Sequence, residues 1–360
     1  MNTKISNKGY GSIIFFTSQA MFLGVGIPQI LNSSNQSSPF SILLGSILGI
    51  LILYLFTKLF NYEKDLNLFQ KLEKLFGKVI GNIINFLLTL LFSIYYIYTL
   101  WGLEVYIQNK YLDKTPSIVI LLIFLIPIIY LVSKGFKTLS KVSFISFVIC
   151  LIEIILCIFG LTNLIEIDNL KPFFETSFMT IIKDSLYFIS YFFAPTFLML
   201  TIPKNQINNQ KYFDKNLFIY YAICTINLFL LVLFIVSIFG IELAKLYYYP
   251  EFALISKINY FDFIQHVENI LSTQWLFSLF ISACMALLFV QNYLKHKKIN
   301  KKVIYYVLII IFLIFATMLF DNTTIGYNFA SKYFSIIYSI PLLILIVISL
   351  IIIKFKKSKN

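Results

Sequence analysis

The chain of 360 residues contains no arginine and is short of charge of either sign. Charged residues make up 12% and hydrophobic residues 59% of it, whereas soluble domains carry about 25% charged and about 45–50% apolar residues. This composition excludes an ordinary soluble protein. All the basic residues behind the net charge of +13 are lysines. In so apolar a chain we expect their distribution to reflect membrane topology, not nucleic-acid binding.

Residue types that carry catalysis or bind metals are also scarce. The four cysteines lie in apolar stretches without CxxC spacing, so the sequence predicts neither a disulfide framework nor a zinc site. They are Cys150, Cys157, Cys224 and Cys284. The two histidines, His266 and His296, lie outside the long apolar stretches, and no HExxH, P-loop or GxSxG motif occurs. We therefore predict that the protein is not an enzyme and has no cofactor.

Long hydrophobic stretches dominate the rest of the chain. Ten of them reach the roughly 20 residues that a helix needs to cross a bilayer, and we number them spans 1 to 10. They cover about residues 10–31, 39–60, 80–108, 116–134, 141–162, 178–202, 216–241, 270–292, 302–320 and 332–354. Such runs exclude a β-barrel, whose strands alternate over about ten residues. The sequence predicts an all-α integral membrane protein that forms a single domain over residues 1–360.

Lysine is distributed unevenly between the two sides of the predicted membrane. With the N-terminus in the cytoplasm, 22 lysines lie on the cytoplasmic side and seven on the other, which predicts that both termini are cytoplasmic. Residues 61–78 repeat apolar side chains at three- and four-residue steps, which indicates an interfacial helix on that side. Residues 242–269 form a long outer segment. The lysines at 295–302 either contact anionic lipid headgroups or only fix the topology.

Spans 1 and 6 each contain helix-breaking residues near the middle. Span 1 contains Gly24-Val25-Gly26-Ile27-Pro28, and span 6 contains Ser190-Tyr191-Phe192-Phe193-Ala194-Pro195. Five spans in each half is an odd number, so the second half would have the opposite orientation in the membrane. We therefore predict two inverted repeats, about 10–162 and 178–354, with broken helices at spans 1 and 6. Backbone groups freed at such breaks suit a small ligand such as an amino acid. Glycine and proline are also common in membrane helices that are merely kinked.

Few ionisable residues fall inside the spans. Glu153, near the centre of span 5, is either a carboxylate that couples protons or contacts ligand, or a protonated acid in the packed interior. Glu104 follows several aromatic residues of span 3 and is either an interfacial carboxylate or a ligand contact. Tyr95 and Tyr98 share one helix face, so one of them could line a central cavity.

These features together resemble a known family. The ten spans, the Gly-x-Gly break and the outer motif Tyr249-Pro250-Glu251 followed by Ile258-Asn259-Tyr260-Phe261-Asp262-Phe263-Ile264 are similar to the B subunit of spore germinant receptors, in the endospore germination permease family. Trp275, which opens span 8, belongs to the same pattern. Two places depart from it: His266-Val267-Glu268 stands where the family often has arginine before an acidic residue, and Pro28 follows Ile27 where Leu-Pro is usual.

The resemblance implies a LeuT-like fold of the amino acid, polyamine and organocation transporter type. It implies that a germinant, such as an amino acid, binds between spans 1, 3, 6 and 8. The ligand contacts carried over to this chain are Gly24, Val25, Gly26, Ser190, Tyr191 and Phe192 at the two breaks, with Tyr98 and Met285 as further nominations. It also implies A-type and lipoprotein C-type partner subunits in the spore inner membrane or bacterial cytoplasmic membrane. The alternatives are an ion-coupled amino acid transporter, with Glu153 as the coupling group, and a scaffold without ligand binding.

Overall fold

The computed structural model describes residues 4–258, 272–299, 302–319 and 323–358. These residues are helical apart from turns, loops and one isolated parallel β-bridge between Ile5 and Ile207. The outer motif beyond Ile258 and the residues His266, Val267 and Glu268 lie outside the described residues.

Helices occupy all ten predicted spans, and we number the described α-helices α1 to α13. They are α1 Asn7–Gln19, α2 Ile27–Ser34, α3 Ser38–Asn61, α4 Leu68–Phe76, α5 Lys78–Lys110, α6 Ser117–Lys134, α7 Phe136–Thr162, α8 Phe178–Met199, α9 Phe213–Leu246, α10 Pro250–Ile255, α11 Thr273–His296, α12 Lys302–Leu319 and α13 Thr323–Ser358. Span 1 is divided between α1 and α2, whereas α10 lies in the outer segment between spans 7 and 8.

Seven helical segments in the described part of the chain are long and apolar enough to cross a membrane. The run Asn7–Asn61 counts as one of them although it contains two predicted spans, and α8, with Lys183 and Asp184 near its start, is not among them. The structure therefore supports a membrane protein with several spanning helices. The count of ten crossings and the inverted repeat stay predictions.

Several long helices carry large apolar side chains on their outer faces. Ile126 of α6 and Phe159 of α7 are each 70% exposed, and Ile47 of α3 is 58% exposed. Apolar surface of this kind would drive association in water, but lipid tails cover it without cost. The outer surface thus matches the interior of a bilayer.

Helix α1 lies at the centre of the bundle, where it packs against α7, α9 and α11. All its residues except Lys8 are buried. Two glycines allow the close approach: a Cβ on Gly9 would lie 2.4 Å from the Ser140 carbonyl oxygen of α7, and one on Gly11 would lie 2.2 Å from the Tyr220 ring of α9. Any interruption at the end of α1 is therefore enclosed by protein.

The interfacial helix expected within residues 61–78 is α4. Asn67 and Gln70 form a capping box at its N-terminus. Its Lys71 is buried and donates hydrogen bonds to the carbonyls of Leu59 (3.2 Å) and Phe60 (2.9 Å), which caps the end of α3. Burial lowers the pKa of Lys71 to about 7. Helix α4 is thus fixed to the bundle by a specific polar contact as well as by its apolar face.

Candidate functional site

Span 1 is interrupted between α1 and α2. Leu23 (φ −62°, ψ 135°) and Gly24 (φ 76°, ψ −24°) have the dihedral angles of a type II turn within the π-helical stretch Phe22–Gly26. The positive φ at the second position favours glycine, because a side chain there is strained. The predicted interruption of span 1 is therefore confirmed.

Trp275 of α11 closes over this interruption. Its indole Nε1 donates a 2.8 Å hydrogen bond to the carbonyl of Ala20, a group that the end of α1 leaves without a helical partner. Its ring covers the turn so closely that a Cβ on Gly24 would lie 2.2 Å from it. One side chain thus satisfies the freed backbone and shields it.

A polar chain continues from α1 to α11 beside the interruption. The Gln19 amide donates to the Ser278 hydroxyl at 3.0 Å, and the Gln274 amide donates to the Gln19 side-chain oxygen at 3.0 Å. Polar side chains inside a membrane protein are costly unless paired, and here they pair across two helices. The start of α11 is thereby held against the end of α1.

The predicted break in span 6 is wrong, because α8 is helical without interruption over Phe178–Met199. Pro195 cannot donate a backbone hydrogen bond, but this deprives only the Tyr191 carbonyl of its helical donor. The stretch contains no glycine that would take a positive φ. The Ser190 hydroxyl donates to the carbonyl of Tyr187 at 2.5 Å, so it bonds within the helix and leaves the segment wound.

A cavity of about 60 Å³ lies beside the interruption of span 1. Leu23 from the turn, Tyr106 from α5 and Trp275 from α11 form part of its wall, and α7 and α9 contribute mostly aliphatic side chains. The polar lining includes Glu251 of α10 and Asn227 of α9. The site is thus a mainly apolar chamber with a carboxyl group in its wall.

Glu251 reaches this chamber from outside the predicted spans. Its side chain is buried, with 6% exposed, and neither carboxyl oxygen has a hydrogen bond of normal geometry among the described residues. Burial raises the pKa of Glu251 to about 7, although its own backbone amide, the backbone amide of Gly24 and the charge of Lys110 all favour its ionised form. The carboxyl therefore changes charge near neutral pH beside the interruption.

The three residues nominated at the first break have different surroundings. Gly24 and Val25 line a smaller cavity of about 10 Å³, with Trp101 and Tyr249 among the other wall residues. A Cβ on Gly26 would lie 2.3 Å from the Phe22 ring, so this glycine allows close packing of its own turn. Gly24 and Val25 lie close to the candidate site, whereas Gly26 serves the local fold.

The remaining nominations do not line the chamber beside Glu251. The rings of Tyr98 and Tyr191 lie 6.1 and 4.9 Å from that of Phe334 in α13, so one aromatic residue of the last helix contacts both. Phe192 packs against Phe188, 5.3 Å between ring centroids. Ser190 and Met285 are fully buried. Tyr98, Tyr191 and Phe192 thus belong to aromatic contacts within the core, outside the chamber wall.

Glu153 lies one residue from Ile154, which lines the chamber. One of its oxygens accepts a 2.5 Å hydrogen bond from the Thr273 hydroxyl of α11, and the other has no hydrogen-bond partner among the described residues. Glu104, expected at an interface, is also buried. Both expectations for Glu153, a coupling group or a packed acid, are compatible with this position.

The chamber includes four residues that were not expected at a site from the sequence: Glu251, Trp275, Tyr106 and Asn227. Glu251 and Trp275 belong to the motifs that carry the family resemblance, so a signal for them was present. The sequence contains no signal for Tyr106 or Asn227. Aromatic residues such as Tyr106 make up 18% of the chain, and a single amide side chain within a span, such as that of Asn227, does not indicate a site. Only their position around the chamber distinguishes them.

The apolar outer surface and the long apolar helices define an integral membrane protein, with an enclosed interruption in its first span. The family model described as "Spore germination protein" matches residues 10–325, so the chain belongs to the spore germination permease family. A protein of Bacillus subtilis (strain 168), described as "Putative spore germination protein YfkT", is 23% identical over 290 residues, which cover 77% of this chain and 76% of that protein.

Proposed function

We propose that the protein is the B-type membrane subunit of a spore germinant receptor, which binds a small nutrient germinant, an amino acid, and helps to trigger germination. The observation that carries the proposal is the enclosed interruption of span 1 beside a cavity, in a chain of the spore germination permease family. Interrupted backbone inside a membrane protein is retained where protein, water or ligand satisfies it. A ligand site is a direct reason to keep it.

Signalling follows if the ligand binds one arrangement of the helices better than another. The chamber is lined from the turn and from α5, α7, α9, α10 and α11, so a bound molecule would contact all of these elements together. A difference in affinity between two arrangements then shifts their populations. We propose that A-type and lipoprotein C-type subunits receive this change in the spore inner membrane, with both termini of this chain in the cytoplasm.

An ion-coupled amino acid transporter is the second candidate function, and the position of Glu153 favours it. This buried carboxyl, with one oxygen bonded to Thr273 and one without a partner among the described residues, adjoins the chamber wall. Carboxyls in such places serve proton relays in transporters. In this function, Glu153 would gain and lose a proton in each transport cycle.

Reconstitution into proteoliposomes separates the two functions. We would measure equilibrium binding of radiolabelled amino acids and their accumulation under an imposed proton or sodium gradient. Saturable binding without accumulation supports the receptor. Gradient-driven accumulation that is lost in Glu153→Gln supports the transporter, and absence of binding to all twenty amino acids would overturn both.

A further inference from the structure

We propose that Glu251 binds the ammonium group of the ligand, and that the chamber beside Gly24 takes a small primary amine with an aliphatic body. The inference rests on the proposed function only where it identifies this amine as that of an amino acid. The chamber and the carboxyl are features of the structure itself.

Glu251 has unfilled bonding capacity. Its carboxyl group is 6% exposed, no side chain among the described residues donates to either oxygen, and the backbone amides of Glu251 and Gly24 face it without a hydrogen bond of normal geometry, so it carries a large desolvation cost. No ion pair joins it to a lysine in the part of the chain that the structure describes. A ligand ammonium group offers three donors and a positive charge, which would satisfy both oxygens.

Lys110 is the nearby cation to consider, and it is engaged elsewhere. Its Nζ lies 4.4 Å from the centroid of the Phe252 ring and 5.4 Å from that of the Tyr249 ring. These cation–π contacts hold the lysine among aromatic faces. Lys110 favours ionisation of Glu251 from a distance and leaves its oxygens open to a ligand.

The wall of the chamber has the chemistry to hold an amine with an apolar body. The rings of Tyr106 and Trp275 lie 4.3 Å apart, and Tyr249 lies 5.3 Å from Trp275, so an aromatic cluster borders the carboxyl. Aromatic faces attract cations. Ile154, Leu230 and other aliphatic side chains line the remainder, which favours an apolar body behind the ammonium group.

The size of the chamber limits the ligand. A chamber of about 60 Å³ has room for roughly four to six water molecules, at about 10–15 Å³ for each. Only a small amine fits without rearrangement of the walls. Ethylamine and L-alanine are suitable probes, and propionate, which has the same short aliphatic chain and a carboxylate but no amine, is the matched negative probe.

The test is titration calorimetry on the full chain in lipid nanodiscs with ethylamine, L-alanine and propionate. Glu251→Gln keeps the shape of the side chain and removes its charge, whereas Glu251→Asp keeps the charge on a shorter side chain. Glu242→Gln on the exposed surface of α9 is the control. Thermal unfolding of each variant establishes that it is folded.

We expect ethylamine and L-alanine to bind the wild type and Glu242→Gln at least tenfold more tightly than propionate. Glu251→Gln should lose at least tenfold in affinity for both amines, and Glu251→Asp should retain the preference for amines. Ethylamine that fails to bind the wild type, or binds Glu251→Gln as tightly, would overturn the inference. If the wild type and Glu251→Gln bind L-alanine equally tightly, the inference about Glu251 is overturned and the proposed function still stands. Ethylamine binding that depends on Glu251, without binding of any amino acid, would support it and count against the proposed function.

Discussion

Span 1 and span 6 carry similar helix-breaking sequences, yet the chain is interrupted in one and continuous in the other. At Gly24 the backbone adopts a positive φ, and the turn frees the Ala20 carbonyl, which Trp275 satisfies. Across Ser190–Pro195 every residue stays helical. The two stretches differ in glycine, which the first contains twice and the second lacks.

This difference distinguishes the effect of proline on a helix from the effect of glycine, although both residues are counted as helix breakers in a sequence. Proline removes one donor and clashes with the preceding turn, which neighbouring groups can accommodate within a wound helix. Glycine permits a backbone conformation that other residues resist. Span 1 of this protein is interrupted where a glycine with positive φ and a partner for the freed carbonyl occur together, at Gly24 and Trp275.

The largest effect is expected from Gly24→Ala. The new Cβ would be strained at φ +76° and would lie 2.2 Å from the Trp275 ring, so we expect a loss of about 3 kcal/mol or more in unfolding free energy. Unfolding in detergent measures it. Gly77→Ala is the matched control, because its φ of +84° is similar but no atom lies within 4 Å of the new Cβ. Equal losses in both would show that contact with Trp275 adds nothing.

Trp275→Phe tests the partner of the freed carbonyl. A smaller aromatic ring remains, but the Ala20 carbonyl loses its 2.8 Å hydrogen bond, and a buried polar group left unpaired costs about 1–3 kcal/mol. The same unfolding assay measures this loss. Tyr96→Phe serves as control, since that buried hydroxyl makes no hydrogen bond with the described residues. A stable Trp275→Phe protein would mean that the interruption needs no cap.

The affinity for ethylamine should rise with pH at the interrupted site. With the pKa of Glu251 at about 7, the carboxylate fraction increases from about 10% at pH 6 to about 90% at pH 8, so binding should tighten roughly tenfold while ethylamine stays protonated. Tyr106, Tyr249, Cys157 and Lys110 also face the site, but groups of these types ordinarily titrate above pH 8.

Two further buried carboxyls are close enough to complicate this pH dependence. They are Glu104, which acts electrostatically on Tyr249, and Glu153, next to the chamber wall. Calorimetry on Glu251→Gln resolves the assignment, since its weak ethylamine binding should not vary between pH 6 and pH 8. A pH step that survives in this variant would belong to one of the other two carboxyls.

The smallest effect is expected from Pro195→Ala in the continuous span. Alanine restores a backbone donor for the Tyr191 carbonyl, and the helix already has the required shape, so stability should change by about 1 kcal/mol or less. Ethylamine and L-alanine binding, measured in the same nanodiscs, should be unchanged. A clear loss of binding would show that Pro195 shapes the site and that span 6 resembles span 1 after all.

Prediction from the sequence succeeded where the signal is local. Apolar runs located helices at all ten spans, and the pattern of residues 61–78 located α4. Gly24 located the interruption. Fewer of the nominated residues lie at the candidate chamber: Gly24 and Val25 lie close to it, but Ser190, Tyr191, Phe192, Tyr98 and Met285 lie outside its wall. Ser190, Tyr191 and Phe192 were selected because span 6 was expected to be broken, whereas Tyr98 and Met285 were selected as walls contributed by spans 3 and 8.

The sequence by itself determined that the chain is an all-helical membrane protein and that span 1 can be interrupted. Hydrophobicity and the conformational freedom of glycine are properties of single residues and short runs. Only the tertiary structure decided that α8 stays wound and that Trp275 covers Gly24. It alone brings Glu251, more than 220 residues further along the chain than Gly24, to the chamber beside that turn. Burial and the lack of a partner arise from contacts between distant segments, and these give a glutamate its chemical role.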